Sequence, residues 1–182
     1  MNNLYHSSIR CTYGDFYDPY AYVGVMSNRH VVNTNSNERD LIVPALLTIP
    51  KGESVSIRLG NSNVGGEAES ITFDYVVAAD NPILILKYAA VMEEPGHAPS
   101  ESPHLRIEII NNGGVSIYSQ NITPTYAAGF NATGDGIMWK DWTSINKDMS
   151  SYVGKLVKVR FTNYDCEQGG HFGYSYIHLK CD

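Results

Sequence analysis

Apolar and polar residues alternate along several short stretches of the chain. The alternation is clearest at 54–60, 105–110, 156–161 and 172–179. A period of two places one face of each stretch in the interior and the other in water, as in antiparallel strands. Residues 83–92 are apolar on both faces for most of their length, which predicts a strand in the centre of a sheet. The chain is therefore predicted to consist mainly of strands.

Turn signals separate these stretches at intervals of about 8–12 residues. The Asn-Asn-Gly-Gly sequence at 111–114 predicts a hairpin that returns the chain along 115–119. Further strands are predicted at 4–13 and 67–77, and residues 148–154 predict a single helical turn with an acidic cap. No stretch keeps a helical period for three turns. We therefore predict an all-β fold, an antiparallel β-sandwich with little or no helix.

The polar loop at 163–171 connects the last two alternating stretches, which we expect to pair as antiparallel strands. A Cys166–Cys181 disulfide fits this pairing poorly, because about eight residues at ~3.3 Å each exceed the ~7 Å that a disulfide spans. It is possible only if the loop folds back or the two stretches lie in different sheets. Cys11 and Cys181 can pair if the first and last strands are neighbours. The alternative is that all three cysteines are small buried side chains.

Composition and charge narrow the class of partner. With 182 residues the chain fits one domain, 1–182, and only 18% of its residues are charged. A net charge of −6 without a basic run argues against nucleic acid and against an anionic membrane surface. No segment is apolar enough to span a membrane, and the start has no signal-peptide pattern. The chain is either a cytosolic protein or a mature segment of a secreted one. We favour the second interpretation, and expect a monomer.

Two polar loops contain residue types that bind metal ions. Glu93, Glu94 and His97 follow one predicted strand, and Asp165 and His171 follow another. Carboxylates with imidazoles bind Zn²⁺ or another transition metal, whereas Ca²⁺ uses carboxylates and carbonyls. We predict a structural cation at these residues, with Ca²⁺ preferred over Zn²⁺. The competing interpretation is that both imidazoles order long loops through hydrogen bonds to the backbone.

Aromatic residues offer a second kind of candidate site. Trp139 and Tyr126, together with Trp142 and Phe130, can form a platform for the C–H face of a sugar ring. Trp142 alternatively belongs to the core. Arg58 can anchor a carboxylated ligand through its planar fork, although such a residue more often pairs with a neighbouring Asp or Glu. Our predicted ligand-binding residues are Trp139, Arg58 and Tyr126.

A tyrosine cluster near the start of the chain suggests a polar aromatic groove, with a half-exposed strand edge as the alternative. Its members are Tyr13, Asp15, Tyr17, Asp18, Tyr20 and Tyr22.

Sequence signals for catalysis are weak. No Gly-x-Ser-x-Gly motif is present, and a surface disulfide or a buried thiol explains Cys166 more simply than a nucleophile paired with His171. We therefore expect no enzymatic activity.

Three segments, 54–61, 87–97 and 165–174, resemble a module of large secreted Bacteroidetes surface proteins. Such proteins often carry PKD repeats and a C-terminal sorting domain linked to gliding and adhesion. The resemblance covers about 20–181 and includes a Pro-Gly-His and a Gly-Gly-His motif. More loosely, residues from 142 onward are similar to MAM and galactose-binding-like jelly rolls. The resemblance implies a surface-exposed, non-catalytic jelly roll.

Two hypotheses from different classes follow. The first is an extracellular binding or adhesion module for a glycan or surface polysaccharide, within or derived from a larger secreted protein. The second is a structural spacer of a surface protein, in which the polar loops only stabilise the sandwich. A small hydrolase is a distant third. The sequence specifies neither the glycan nor the cysteine pairing.

Overall fold

A computed structural model describes residues 4–11 and 22–181, with side chains from 23 to 180. Within these residues the chain forms twelve strands and two short 3-10 turns. The strands are β1 (Leu4–Cys11), β2 (Tyr22–Val23), β3 (His30–Asn33), β4 (Ser56–Gly60), β5 (Ala68–Val76), β6 (Ile83–Glu93), β7 (His104–Asn111), β8 (Ser116–Ile122), β9 (Asn131–Ala132), β10 (Ile137–Asp148), β11 (Leu156–Tyr164) and β12 (Gly173–Cys181). The 3-10 turns are Tyr126–Ala128 and Ser150–Tyr152.

The strands form two six-stranded sheets in which every pairing is antiparallel. The first sheet has the order β2-β1-β5-β11-β7-β8 and the second β3-β4-β12-β6-β10-β9. This arrangement confirms the predicted antiparallel β-sandwich. The apolar stretch at 83–92 is β6, which lies between β12 and β10 and so occupies the predicted central position. The hairpin between β7 and β8 is also confirmed.

The main core fills the space between the two sheets. Phe161 and Ile107 come from the first sheet, Leu86 and Ile177 from the second, and all four are buried. Each occupies an inward position of its strand, where successive side chains point to opposite faces of the sheet. Removing this apolar surface from water stabilises the sandwich by roughly 25 cal/mol for each Å² buried. That all of 1–182 forms one domain stays a prediction.

The predicted pairing of the last two strands is wrong. β11 pairs with β5 and β7 in the first sheet, whereas β12 pairs with β4 and β6 in the second. Alternation determines which face of a strand is buried but not which strand lies beside it. The loop between β11 and β12 therefore crosses from one sheet to the other. Asn163 bridges this crossing, since its Nδ2 donates to Gly173 O at 2.6 Å and its Oδ1 accepts from Ser175 Oγ at 2.9 Å.

A loop at 38–48 covers part of the outer face of the second sheet. Val43 and Leu46 of this loop pack on Tyr174 and Tyr176 of β12 in a second, smaller apolar cluster. Asp40 of the same loop is buried, and its carboxylate accepts hydrogen bonds from Ile42 N and Val43 N and from both tyrosine hydroxyls. The loop is thus fixed to the sheet by a buried polar contact as well as by apolar packing.

The cysteines were predicted either to form a disulfide or to be buried as free thiols. Cys166 is a free, buried thiol, so it forms no disulfide with Cys181. The side chains of Cys11 and Cys181 and the tyrosine groove at 13–22 lie outside the described side chains, and these interpretations stay predictions. In the part of the chain that is described, no helix has the length and apolar character needed to cross a bilayer.

Candidate functional site

Tyr126 lies on the 3-10 turn that follows β8, with its side chain directed into solvent. Thr125 caps this turn, because its Oγ1 accepts a hydrogen bond from Ala128 N at 3.1 Å. Gly129 ends it in the left-handed conformation, with a φ of 78°, and donates to Tyr126 O at 2.9 Å. The Tyr126 side chain is 73% exposed. A large aromatic ring is therefore presented to water by a locally fixed backbone.

A cavity of about 510 Å³ opens beside this ring. Its lining includes Pro124, Met138 and the half-buried Glu94. Glu94 follows β6 and is held at the cavity edge, because its backbone N–H donates to Gly136 O at 2.9 Å and its Oε1 accepts from Gly96 N at 2.7 Å. The cavity thus joins an exposed aromatic face to a positioned carboxylate.

Arg58 lines a different cavity, of about 320 Å³, on the outer face of the second sheet. Its Nε donates to Gly60 O at 3.0 Å, and its Nη2 donates to Asn28 O at 2.9 Å and Asn28 Oδ1 at 2.8 Å. The guanidinium carbon also lies 5.7 Å from the centroid of the Tyr174 ring. These oxygens are uncharged, unlike the Asp or Glu partner that the sequence suggested.

The tryptophans do not share a platform with Tyr126. Trp139 is half-buried in the apolar cluster on the outer face of the second sheet and lines neither of the two cavities just described. Trp142 belongs to the same cluster, and its Nε1 donates to Leu47 O at 2.8 Å, which ties the covering loop to β10. Phe130 is buried in the main core. The structure therefore separates Trp139, Arg58 and Tyr126 into three places.

His97 and His171 come together, as two loops at one end of the sandwich would allow. Their ring centroids are 5.2 Å apart and the rings are nearly perpendicular. The thiol of Cys166 joins them, with its Sγ 3.4 Å from His97 Nδ1. The ligand atoms of all three residues lie within 4.8 Å of one another. Cys166 was missing from the predicted metal ligands, although its place in the loop before His171 was a usable signal.

The carboxylates predicted as metal ligands are engaged with the backbone. Asp165 is buried and accepts hydrogen bonds from Glu67 N at 3.0 Å and Gly173 N at 2.9 Å. Burial raises the pKa of Asp165 to about 8. Glu93 Oε2 accepts from Phe172 N at 2.9 Å. These groups hold the loop between β11 and β12 in place, beside the histidines rather than among them.

Sequence reasoning missed a buried charged group next to this crossing. Arg29 forms salt bridges with two carboxylates: its Nη2 lies 2.5 Å from Glu69 Oε1, and its Nε lies 3.3 Å from Glu67 Oε2. Burial raises the pKa of Glu69 to about 7, although the Arg29 charge acts in the opposite direction. Glu69 sits on β5, where alternation alone does not reveal that a charged residue faces inward.

No family model matches the chain, and no curated protein matches it by sequence. Solved structures with a similar arrangement include a carbohydrate-binding module in complex with β-1,4-galactotriose, with 10% identity, a TM-score of 0.44 and coverage of 96% of this chain and 88% of that one. The family 11 carbohydrate-binding module of a Clostridium thermocellum cellulase has 7% identity, a TM-score of 0.38 and coverage of 98% and 86%. The active domain of a bacteriophage CBA120 tailspike protein has 12% identity, a TM-score of 0.45 and coverage of 97% and 19%. Similarities this distant assign no ligand.

Proposed function

We propose that this protein is a non-catalytic carbohydrate-binding module whose ligand stacks on Tyr126. The observation that carries the proposal is the cavity of about 510 Å³ that places the 73% exposed Tyr126 ring beside the Glu94 carboxylate. Its volume lies within the range of roughly 300–1,000 Å³ that is common for small-ligand sites.

Tyr126 and Glu94 are complementary to the flat face and the edge of a sugar ring, respectively. A pyranose ring presents C–H groups on its flat face, which pack well on an aromatic ring. Its edge carries hydroxyl groups, which donate hydrogen bonds to carboxylate oxygens such as those of Glu94. The fixed backbone around Tyr126, capped by Thr125 and Gly129, reduces the ordering that binding requires.

The Arg58 cavity is a second location for the same class of ligand. It is smaller, at about 320 Å³, and richer in polar side chains. However, the guanidinium already donates to three oxygens of Gly60 and Asn28. A ligand there would compete with these internal hydrogen bonds, so we place the glycan at Tyr126.

The cellular setting that we propose is the outer surface of a cell, where the protein takes part in adhesion as a segment of a larger secreted protein. The low charge content, the 13 tyrosines and the resemblance to secreted surface modules support this setting. The alternative function is a purely structural spacer. Around the Arg58 cavity this alternative is favoured, because Arg58 and Asp40 already form hydrogen bonds within the chain.

A glycan array tests the function, with Tyr126→Ala and Tyr126→Phe as the paired variants. We expect the wild type to bind at least one glycan, Tyr126→Phe to bind it nearly as well, and Tyr126→Ala to bind it at least tenfold more weakly, which is about 1.4 kcal/mol. Arg58→Met is the control for the other cavity and should retain affinity. A wild type that binds no glycan would leave the spacer function.

A further inference from the structure

We propose that His97, Cys166 and His171 bind a single transition-metal dication, with Zn²⁺ as the preferred ion. The three residues come from two loops that meet where the chain crosses between the sheets. His97 and Cys166 are 69 positions apart in the sequence. The site is independent of the proposed glycan cavity, since none of the three residues lines it.

The distance between Cys166 Sγ and His97 Nδ1 matches that of a tetrahedral site. Zn–S bonds of about 2.3 Å and Zn–N bonds of about 2.0–2.1 Å at tetrahedral angles place a sulfur and a nitrogen roughly 3.5 Å apart. Cys166 Sγ and His97 Nδ1 are 3.4 Å apart, and the ligand atoms of all three residues lie within 4.8 Å of one another. A pair of ligand atoms at this 4.8 Å limit would have to approach by about 1 Å to reach tetrahedral separation.

One ring nitrogen of His171 has no other role among the described residues. His171 Nδ1 is buried and has no hydrogen-bond partner there. Buried polar atoms nearly always have a partner, so such an atom calls for an explanation, and an ion is one of the accepted ones. Cys166 is a fully buried free thiol, and its Sγ lies 3.4 Å from His97 Nδ1. A metal ion would supply the missing partner of His171 and use the thiolate of Cys166.

The donor types select the ion. One thiolate and two imidazoles suit Zn²⁺ and related transition metals, whereas Ca²⁺ and Mg²⁺ require oxygen ligands. The carboxylates that the sequence suggested as ligands, Asp165, Glu93 and Glu94, accept hydrogen bonds from backbone N–H groups. The site therefore favours Zn²⁺ over the Ca²⁺ that the acidic loops suggested, and three protein ligands leave a fourth position for water.

The loop that carries two of the ligands is locally fixed. Cys166 N donates to His171 O at 3.0 Å, and Gly169 N donates to Cys166 O at 2.8 Å. Gly169 has a φ of 75°, which glycine adopts without strain. This turn brings Cys166 and His171 to the same side of the loop. A nucleophilic Cys–His pair is a poorer interpretation, because the Cys166 side chain is 0% exposed and a substrate cannot reach it.

Metal titration of the whole chain tests the proposal. The protein is stripped with a chelator and titrated with Co²⁺, whose bond to a thiolate produces a charge-transfer absorption in the near ultraviolet. We expect saturation at one Co²⁺ per chain, displacement by Zn²⁺, one Zn²⁺ retained after dialysis and a Tm raised by several degrees by Zn²⁺.

Three variants and one control make the result specific. Cys166→Ala should abolish the charge-transfer band, and His97→Asn and His171→Gln should each weaken Zn²⁺ binding at least tenfold. His178→Asn is the matched control, because His178 contacts Val55 O and Glu53 instead, and it should bind Zn²⁺ as the wild type does. If Cys166→Ala does not fold, as judged by circular dichroism, the Zn²⁺ affinities of His97→Asn and His171→Gln test the proposal instead.

Two results would overturn the proposal. One is a wild type whose Co²⁺ spectrum has no thiolate band and whose Tm is unchanged by Zn²⁺. The other is Zn²⁺ binding of equal affinity in the wild type, His97→Asn and His171→Gln.

Discussion

Tyr174 donates a hydrogen bond to Asp40 Oδ2 at 2.8 Å, although 134 positions separate the two residues. Tyr176 donates to the same oxygen at 2.7 Å, and both phenols are buried. Desolvation, with the adjacent Asp40 charge second, raises the pKa of each tyrosine above its ordinary range, so both stay protonated donors. This contact fixes the loop at 38–48 to β12 and thereby forms one wall of the Arg58 cavity.

Replacing Asp40 by alanine should release this loop. The change leaves two buried hydroxyls without their acceptor and removes the carboxylate that accepts from Ile42 N and Val43 N. Loss of hydrogen bonds to a buried charge is expected to lower the free energy of unfolding by about 3–5 kcal/mol. Urea denaturation measures this, with the exposed Glu38→Ala in the same loop as a control that should change little. Equal stabilities of the two variants would contradict the role of Asp40.

Gly60 and Gly52 form a pair of glycines with the same backbone conformation and different surroundings. Their φ values are 85° and 87°, but a Cβ on Gly60 would lie 2.7 Å from both Asn163 Nδ2 and Gly173 O, whereas a Cβ on Gly52 would meet nothing within 4 Å. Gly52→Ala should lower the free energy of unfolding by about 1–2 kcal/mol, which is the strain of a left-handed backbone conformation. Gly60→Ala should lower it by clearly more, because the backbone at Gly173 has to move. Thermal unfolding of both variants compares them, and equal losses would contradict the close packing at the sheet crossing.

Stability should depend on pH through Glu69. Burial raises its folded pKa to about 7 from an ordinary value of 4.5, so the folded chain binds more protons than the unfolded chain between these values. The free energy of unfolding should therefore fall as the pH rises from about 4.5 to about 7, by roughly 2–4 kcal/mol from this residue, and then level off. Denaturation of the wild type and Glu69→Gln across this range measures the difference. A difference that does not vary with pH would contradict the raised pKa.

Trp139 should matter for stability and not for glycan affinity. Its half-buried ring packs in the outer-face cluster and lies apart from the cavity at Tyr126. Trp139→Ala should lower the free energy of unfolding by about 2 kcal/mol, less than the 3–5 kcal/mol of a fully buried tryptophan. Affinity electrophoresis of the folded variant should match the wild type. A folded Trp139→Ala that loses glycan retention would move the binding site to the outer face.

The sequence predicts individual strands better than their neighbours. The alternation at 54–60 and the apolar run at 83–92 predict the bounds of β4 and β6 to within two residues. These strands are predictable because a buried strand face consists of apolar residues. The partners of β11 and β12 are set by long-range packing across the crossing, where Asn163 bonds to Gly173 and Ser175. No local pattern contains that information, which is why the pairing was predicted wrongly.

The candidate sites could also be predicted from the sequence only in part. The nearness of His97 and His171 was accessible, because each follows a strand and their loops share one end of the sandwich. The placement of Cys166 between them depends on the turn at Gly169 and on the crossing, neither of which has a periodic signal. The separation of Tyr126 from Trp139 also depends on tertiary structure, since the 3-10 turn and β10 direct neighbouring aromatics to different surfaces.

Affinity electrophoresis of the wild type and Tyr126→Ala in gels that contain soluble galactan, mannan, xyloglucan or mixed-linkage β-glucan tests the carbohydrate-binding function most directly. We predict that at least one polysaccharide retards the wild type, that Tyr126→Phe is retarded to nearly the same extent, and that Tyr126→Ala migrates as it does in a gel without polysaccharide. Equal retardation of Tyr126→Ala and the wild type would contradict a glycan site at Tyr126.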